Sequence, residues 1–162
     1  MLPTNSAINP PSNFPATWAV AWGEDAYGYW QAFEIKGVRQ VMRWIIQGEF
    51  LMGSPEDEHN RGGDEKQHKV IILQGFWLAD TACTQALWQV VMEENPSSFT
   101  KSNQNPVDSV SWNDCQQFIQ KANALLIEDT DHKTDFLTLP VKNNGNMPVV
   151  LALQRLLIRV TL

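Results

Sequence analysis

The sequence is poor in thiols. Only Cys83 and Cys115 occur in 162 residues, too few for a disulfide framework and without the paired spacing of a zinc site. Its three histidines, His59, His68 and His132, are scattered; none stands at metal-ligand spacing from a cysteine, and no Ser-His-Asp arrangement can be built on them. No Gly-rich phosphate loop, nucleophile elbow or internal repeat is present. No run approaches the roughly 20 apolar residues of a membrane span. The opening stretch MLPTNSAINPPSNFPATW lacks the basic and apolar regions of a secretory signal. Two reduced thiols and a cytoplasmic location are the default expectations. A net charge of −6 repels phosphate backbones and argues against a nucleic-acid partner. Two absences are local: no Asp or Glu follows Asp135, and no Trp follows Trp112.

What is present suits one domain with a packed core. Seven tryptophans are a heavy load for this length, and their large amphipathic rings are read mainly as core. Residues 1–17, rich in Pro, Asn, Ser and Thr, are expected to be a mobile lead-in. WAVAWGEDAYGYW reads as irregular structure docked by its rings. WQAFEIKGVRQVMRWI predicts a hairpin turning at Lys36-Gly37. Short strands are expected at Phe50–Met52, at Val70–Leu73 and in GFWLAD. TQALWQVVMEEN predicts a helix with Thr84 as N-cap, an apolar face of Leu87, Val90 and Val91, and a stop at Asn95-Pro96. A second helix follows Ser111, with Asp114 three residues on as a capping box and a face of Cys115, Phe118, Ile119 and Ala122.

Residues 55–69, PEDEHNRGGDEKQHK, gather carboxylates and two imidazoles. Oxygen ligands suit calcium, but the spacing departs from a calcium-loop pattern, and the run reads as a solvated charged loop. Cys115 lies on an apolar helix face and reads as a small core residue. Cys83 precedes a helix N-terminus, where a dipole lowers a thiol pKa, but it has no His or acid neighbour in sequence to activate it. No catalytic, cofactor-binding or metal-ligating residue is therefore assigned.

Three linked blocks, RWIIQGEFLMGSPEDE, DEKQHKVIILQGFWLADTACTQALWQVVMEENPSSF and NPVDSVSWNDCQQFIQKANAL, resemble the formylglycine-generating enzymes, the sulfatase-modifying-factor family with a C-type-lectin-like core. The resemblance covers residues 43–126, and more loosely from Trp22. It implies an α+β fold of short antiparallel strands with two helices, of which this chain carries the N-terminal part. In complete members it implies oxidation of a substrate cysteine in sulfatases to formylglycine, with copper and oxygen; calcium is implied there too. Neither Cys83 nor Cys115 matches the copper-binding pair, which lies in the C-terminal part of that domain. No cofactor is therefore expected in this chain. A truncated, inactive relative is one expectation, and a non-catalytic lectin-like binding or interaction module is the alternative. A sulfoxide-synthase-type enzyme of the same superfamily would want a His-rich metal pattern, which is not seen. Expected partners are a protein substrate, or self-association through apolar surface left uncovered by the incomplete fold.

The family's next block has the form L-P-(S/T)-E-A-x-W-E-Y-A-x-R-A-G. This chain begins it with Leu139-Pro140 and then departs. One base added before the Val141 codon makes the degenerate codons of the following residues compatible with S-E-(K/E)-Q-W-E-Y-A-C-R-A-G-T-T-T. Domain boundaries of 1–17, 18–140 and 141–162 follow, the last being an out-of-frame tail. A true C-terminal helix in PVVLALQRLLIRV is the competing reading.

Overall fold

A computed structural model describes residues 11–62, 65–130, 137–139 and 159–160. The architecture is α+β. Strands β1 (Ala21–Asp25), β2 (Gly28–Ile35), β3 (Val38–Ile45), β4 (Gly48–Met52), β5 (His68–Ile72) and β6 (Phe76–Ala79) precede α1 (Gln85–Met92) and α2 (Trp112–Thr130), and then come β7 (Leu137–Thr138) and β8 (Arg159–Val160). Six strands form an antiparallel sheet in the order β1-β2-β3-β6-β8-β7, and β4 and β5 form a separate ribbon.

The β2–β3 hairpin turns where expected. Lys36 and Gly37 both have positive φ, 48° and 80°, the conformation that lets a two-residue loop match the twist of its strands. The register sets Ile35 against Val38 and Gln31 against Met42. Tyr29, Gln31, Phe33 and Ile35 thus share one face with Val38, Gln40, Met42 and Trp44, and both helices pack over that face. Leu87, Trp88, Val91, Phe118, Ile119, Ala122 and Leu126 meet it from the helices, with Trp77 and Leu137 from the sheet. Trp88 and Phe118 stack at 5.1 Å with ring planes 6° apart and lock α1 to α2.

Both helix starts follow the sequence. Thr84 Oγ1 accepts from Leu87 N at 3.2 Å, a cap worth about 1 kcal/mol. Ser111 N donates to Asp114 Oδ2 at 2.8 Å, and Asp114 N donates back to Ser111 Oγ at 3.2 Å. The end of α1 differs from expectation. The helix stops at Met92, before Asn95-Pro96, because Glu93 takes the left-handed conformation (φ 68°) while its N–H closes on Gln89 O at 2.9 Å.

The stretch read as irregular contains β1 and the start of β2. Its Gly and charged residues carry little strand propensity; pairing from Ala21↔Ala32 to Asp25↔Gly28 makes it a strand. Phe14, within the expected lead-in, packs on Tyr29 at 5.3 Å and on Trp77 at 5.8 Å. Ala16 N donates to Gln31 Oε1 at 2.9 Å. Residues 11–17 are thus tied to the core face, while residues 1–10 lie outside the described residues.

The ribbon stands apart. No Cα of another described strand or helix comes within 8 Å of β4 or β5. At its end Gly53 has φ +93°, and a Cβ there would come 2.7 Å from Lys66 O, so only glycine fits this crossing. Val70 and Ile72 are buried on one face of the ribbon, whereas Leu51 and Ile71 on the other are 64% and 44% exposed.

In the tail, Arg159 and Val160 form β8, pairing with Leu78 and Trp77 on one side and with Thr138 and Leu137 on the other. The rest of the tail falls outside the described residues, so the helix alternative over PVVLALQRLLIRV is described only at Arg159 and Val160, which are in β8.

Candidate functional site

The sheet's second face carries a compact charge network beside an open depression. Arg43 on β3 donates from Nη1 to both Asp25 carboxylate oxygens at 2.8 Å and from Nε to Asp80 Oδ1 at 3.2 Å. Tyr27 lays its ring 5.7 Å from the guanidinium carbon. Pairing explains the convergence: Arg43 is opposite Trp30 and Leu78, placing it on the same face as the β1–β2 turn and near the exit of β6. Arg43, by its hydrogen bonds, and the Tyr27 N–H both hold the Asp25 carboxyl below the usual carboxylate range. Two carboxylates surround one guanidinium, so Arg43 is a clamp between three strands and has no uncompensated charge to offer an anion.

A depression of about 680 Å³ opens next to this network, lined by Arg39, Gln40, Asp80, Thr81, Thr84 and Gln104 among others. Gln40 is buried and donates to Val41 O at 3.0 Å and weakly to Thr81 Oγ1 at 3.5 Å. Arg39 pairs with Glu34 at 3.5 Å. Paired charges with hydroxyl and amide groups around them suit a neutral, hydrogen-bonding ligand. No nucleophile stands beside a general base here.

The loop after α1 borders this region and is rigidly held. Gln85, buried at the start of α1, donates from Nε2 to Phe99 O at 3.0 Å and to Pro106 O at 3.2 Å, and its Oε1 accepts from Asn95 Nδ2 at 3.0 Å. Asp108 accepts from Ser98 N at 2.9 Å, from Phe99 N at 3.4 Å and from Ser109 Oγ at 2.8 Å. The Ser98 N–H, first, and the Ser109 hydroxyl, second, draw its pKa down. Sequence reasoning missed Gln85 and Asp108. The available signal for Gln85 was a long polar residue on the buried side of a short apolar helix.

Asp25, Asp108 and Asp114 share one consequence. Each carboxyl is held below its ordinary pKa, Asp114 chiefly by the Ser111 hydroxyl. Their stabilisation is complete above the unfolded carboxylate pKa of about 4 and is lost as pH falls through the lowered folded values. The melting midpoint should be flat near neutrality and fall below about pH 4. Asp108→Asn should show a shallower acid limb than the parent when melts are recorded from neutral to strongly acid pH.

The cysteines are not reactive sites. Cys83 is fully buried, its Sγ directed at Thr84 O at 3.6 Å. Burial raises its thiol far above the ordinary value, and Cys115 adds to the rise. Burial also raises Cys115, with a further contribution from the Asp114 charge. Desolvation therefore keeps the Cys83 thiol from acting as a nucleophile, despite its place before a helix. In the charged loop, Ser54 Oγ donates to Glu65 Oε2 at 3.0 Å and Arg61 Nε to Glu65 O at 3.4 Å, while Glu56, Asp57, Glu58 and His59 are exposed. His68 Nδ1 donates to Lys66 O at 2.9 Å. His132 lies outside the described residues. Among the described residues, no three His, Cys, Asp or Glu side chains converge as a metal site. Nor is any described helix long and apolar enough to cross a membrane.

The sequence matches no known protein family and no curated protein. Two solved structures show structural similarity to this chain. Variable protein 1 of Treponema denticola is 25% identical with a TM-score of 0.51, the match covering 75% of this chain and 42% of that one. PvdO from Pseudomonas aeruginosa is 16% identical with a TM-score of 0.47, the match covering 75% of this chain and 47% of that one. The chain therefore spans less than half the length of the solved structures it resembles.

Proposed function

We propose that this chain is the N-terminal part of a domain of the formylglycine-generating, sulfatase-modifying type, and that it does not itself oxidise cysteine. The observation that carries the second half is the burial of both thiols. Cysteine oxidation on copper needs thiolate ligands that a metal and a substrate can reach. Cys83 is enclosed and held protonated, and Cys115 is buried on the inner face of α2. Copper, implied for complete members, does not fit these two side chains. A thiol-specific chromogenic reagent should find both cysteines slow to react in the folded protein and fast in denaturant. With copper and oxygen, the chain should leave a cysteine peptide taken from a sulfatase unchanged by mass. Appearance of the aldehyde product would overturn the reading.

The shifted-frame string supports placing residues 141–162 outside the original reading frame. Resequencing the gene around the Pro140 codon tests this: a confirmed unbroken frame with no homologous block in the other phase rejects it. Within the same reading, the neutral depression beside Gln40, Thr81 and Gln104 favours a binding role for the scaffold. Its polar, charge-compensated lining suits hydroxyl-bearing or peptide ligands rather than anions.

A further inference from the structure

The outward face of the β4–β5 ribbon has an ordered chemical pattern. Pairing sets Glu49 opposite Ile71 and Leu51 opposite Lys69. Directly opposed residues share a face, as do residues two apart on one strand. Glu49, Leu51, Lys69 and Ile71 therefore form a four-cornered patch. Leu51 and Ile71 occupy one diagonal, both well exposed, and Glu49 and Lys69 the other, bridged at 2.6 Å. Leu73, two residues beyond Ile71, is also 64% exposed. With Val70 and Ile72 buried on the inner face, the apolar side chains left on the outward face are stabilised by being covered.

We propose that this face is covered by the same face of a second copy of the chain. A two-fold axis lying along the Leu51–Ile71 diagonal exchanges the other two corners. It sets Leu51 on the partner copy's Leu51 and Ile71 on its Ile71. Each Lys69 falls over the opposite Glu49, and each Glu49 over the opposite Lys69. The patch is thus self-complementary in both apolarity and charge, as an isologous contact requires. A parallel, undiagonal stacking would instead bring an apolar corner against a charge. The face is small, so the contact gives a concentration-dependent dimer and not a permanent one.

Sedimentation of the full chain over a hundredfold concentration range reads the dimer directly. Lys69→Glu and Glu49→Lys should each weaken dimerisation at least tenfold, because each leaves like charges facing across the axis. The double swap Glu49→Lys with Lys69→Glu should restore it to within about threefold of the parent, since the pattern is again complementary. All four positions are on the surface, and circular dichroism of the variants checks that the fold is kept. As a second measurement, Leu51→Cys on the axis should be joined to its own counterpart by a short bis-maleimide, with Cys83 and Cys115 buried and silent. A parent that stays monomeric throughout means the ribbon is covered by something other than a second copy, and overturns the proposal. So does a dimer indifferent to the single charge reversals, or a double swap that fails to restore association.

Discussion

Asn123→Leu should lower the melting midpoint by roughly 10 °C, corresponding to about 3 kcal/mol or more. Asn123 lies on α2 within the apolar stripe, next to Ala122 and four residues after Ile119, and is buried. Its Nδ2 donates to Leu137 O at 3.0 Å and its Oδ1 accepts from Leu137 N at 2.9 Å. The side-chain amide thus does what a neighbouring strand would do: it satisfies both backbone groups of a buried residue at the edge of the sheet. Leucine fills nearly the same volume but leaves a buried N–H and C=O without partners, and each such orphan costs about 1–3 kcal/mol. Asparagine's replacement by glutamine should cost less than leucine, since the amide is kept although its reach is wrong. A thermal melt followed by circular dichroism measures the effect; a midpoint within a degree or two of the parent would show that β7 contributes nothing to the cooperative unit.

Trp77→Ala should cost about 4 kcal/mol, the usual range for removing a buried large aromatic. Trp77 is 1% exposed and sits where three parts of the chain meet. Its ring packs on Phe14 at 5.8 Å and on Trp44 at 5.2 Å, and its backbone stands opposite Trp44 in β3 and Val160 in β8. Removing the indole opens a cavity under Phe14 and takes away its stacked partner, leaving the tilted ring contact with Tyr29. The expected second effect is faster proteolytic cleavage between residues 11 and 19, well beyond what the drop in global stability produces. Comparing cleavage rates with those of Val91→Ala, which weakens the core away from Phe14, separates the two. Equal rates in the two variants, once matched for stability, would show that Phe14 does not hold the lead-in.

Part of this fold is legible in the chain because its signals are local. Lys36-Gly37 supplies the positive φ pair of a tight hairpin, Thr84 caps its helix through its own hydroxyl, and Ser111 with Asp114 closes a reciprocal box. The end of α1 is a local matter the proline obscures: Glu93 turns left-handed and closes on Gln89, three residues before Pro96. Ala21–Asp25, read as irregular, is a strand through pairing with β2, a partner outside its own stretch. The same holds for the polar hubs. Gln85 and Asn123 each interrupt an apolar helix face, which signals a buried role, but only the loop carrying Phe99 and the strand carrying Leu137 define what that role is.

By itself the sequence determined the two helix starts, the tight hairpin at Lys36-Gly37 and the poverty of thiols and imidazoles available for chemistry. These follow from side-chain shape, capping groups and composition, which act within a few residues. The tertiary structure alone decided that burial raises the Cys83 thiol, that Arg43 is neutralised between Asp25 and Asp80, and that Glu49, Leu51, Lys69 and Ile71 share one outward patch. Burial, charge compensation and strand register arise between segments far apart in the chain, and no local pattern specifies them.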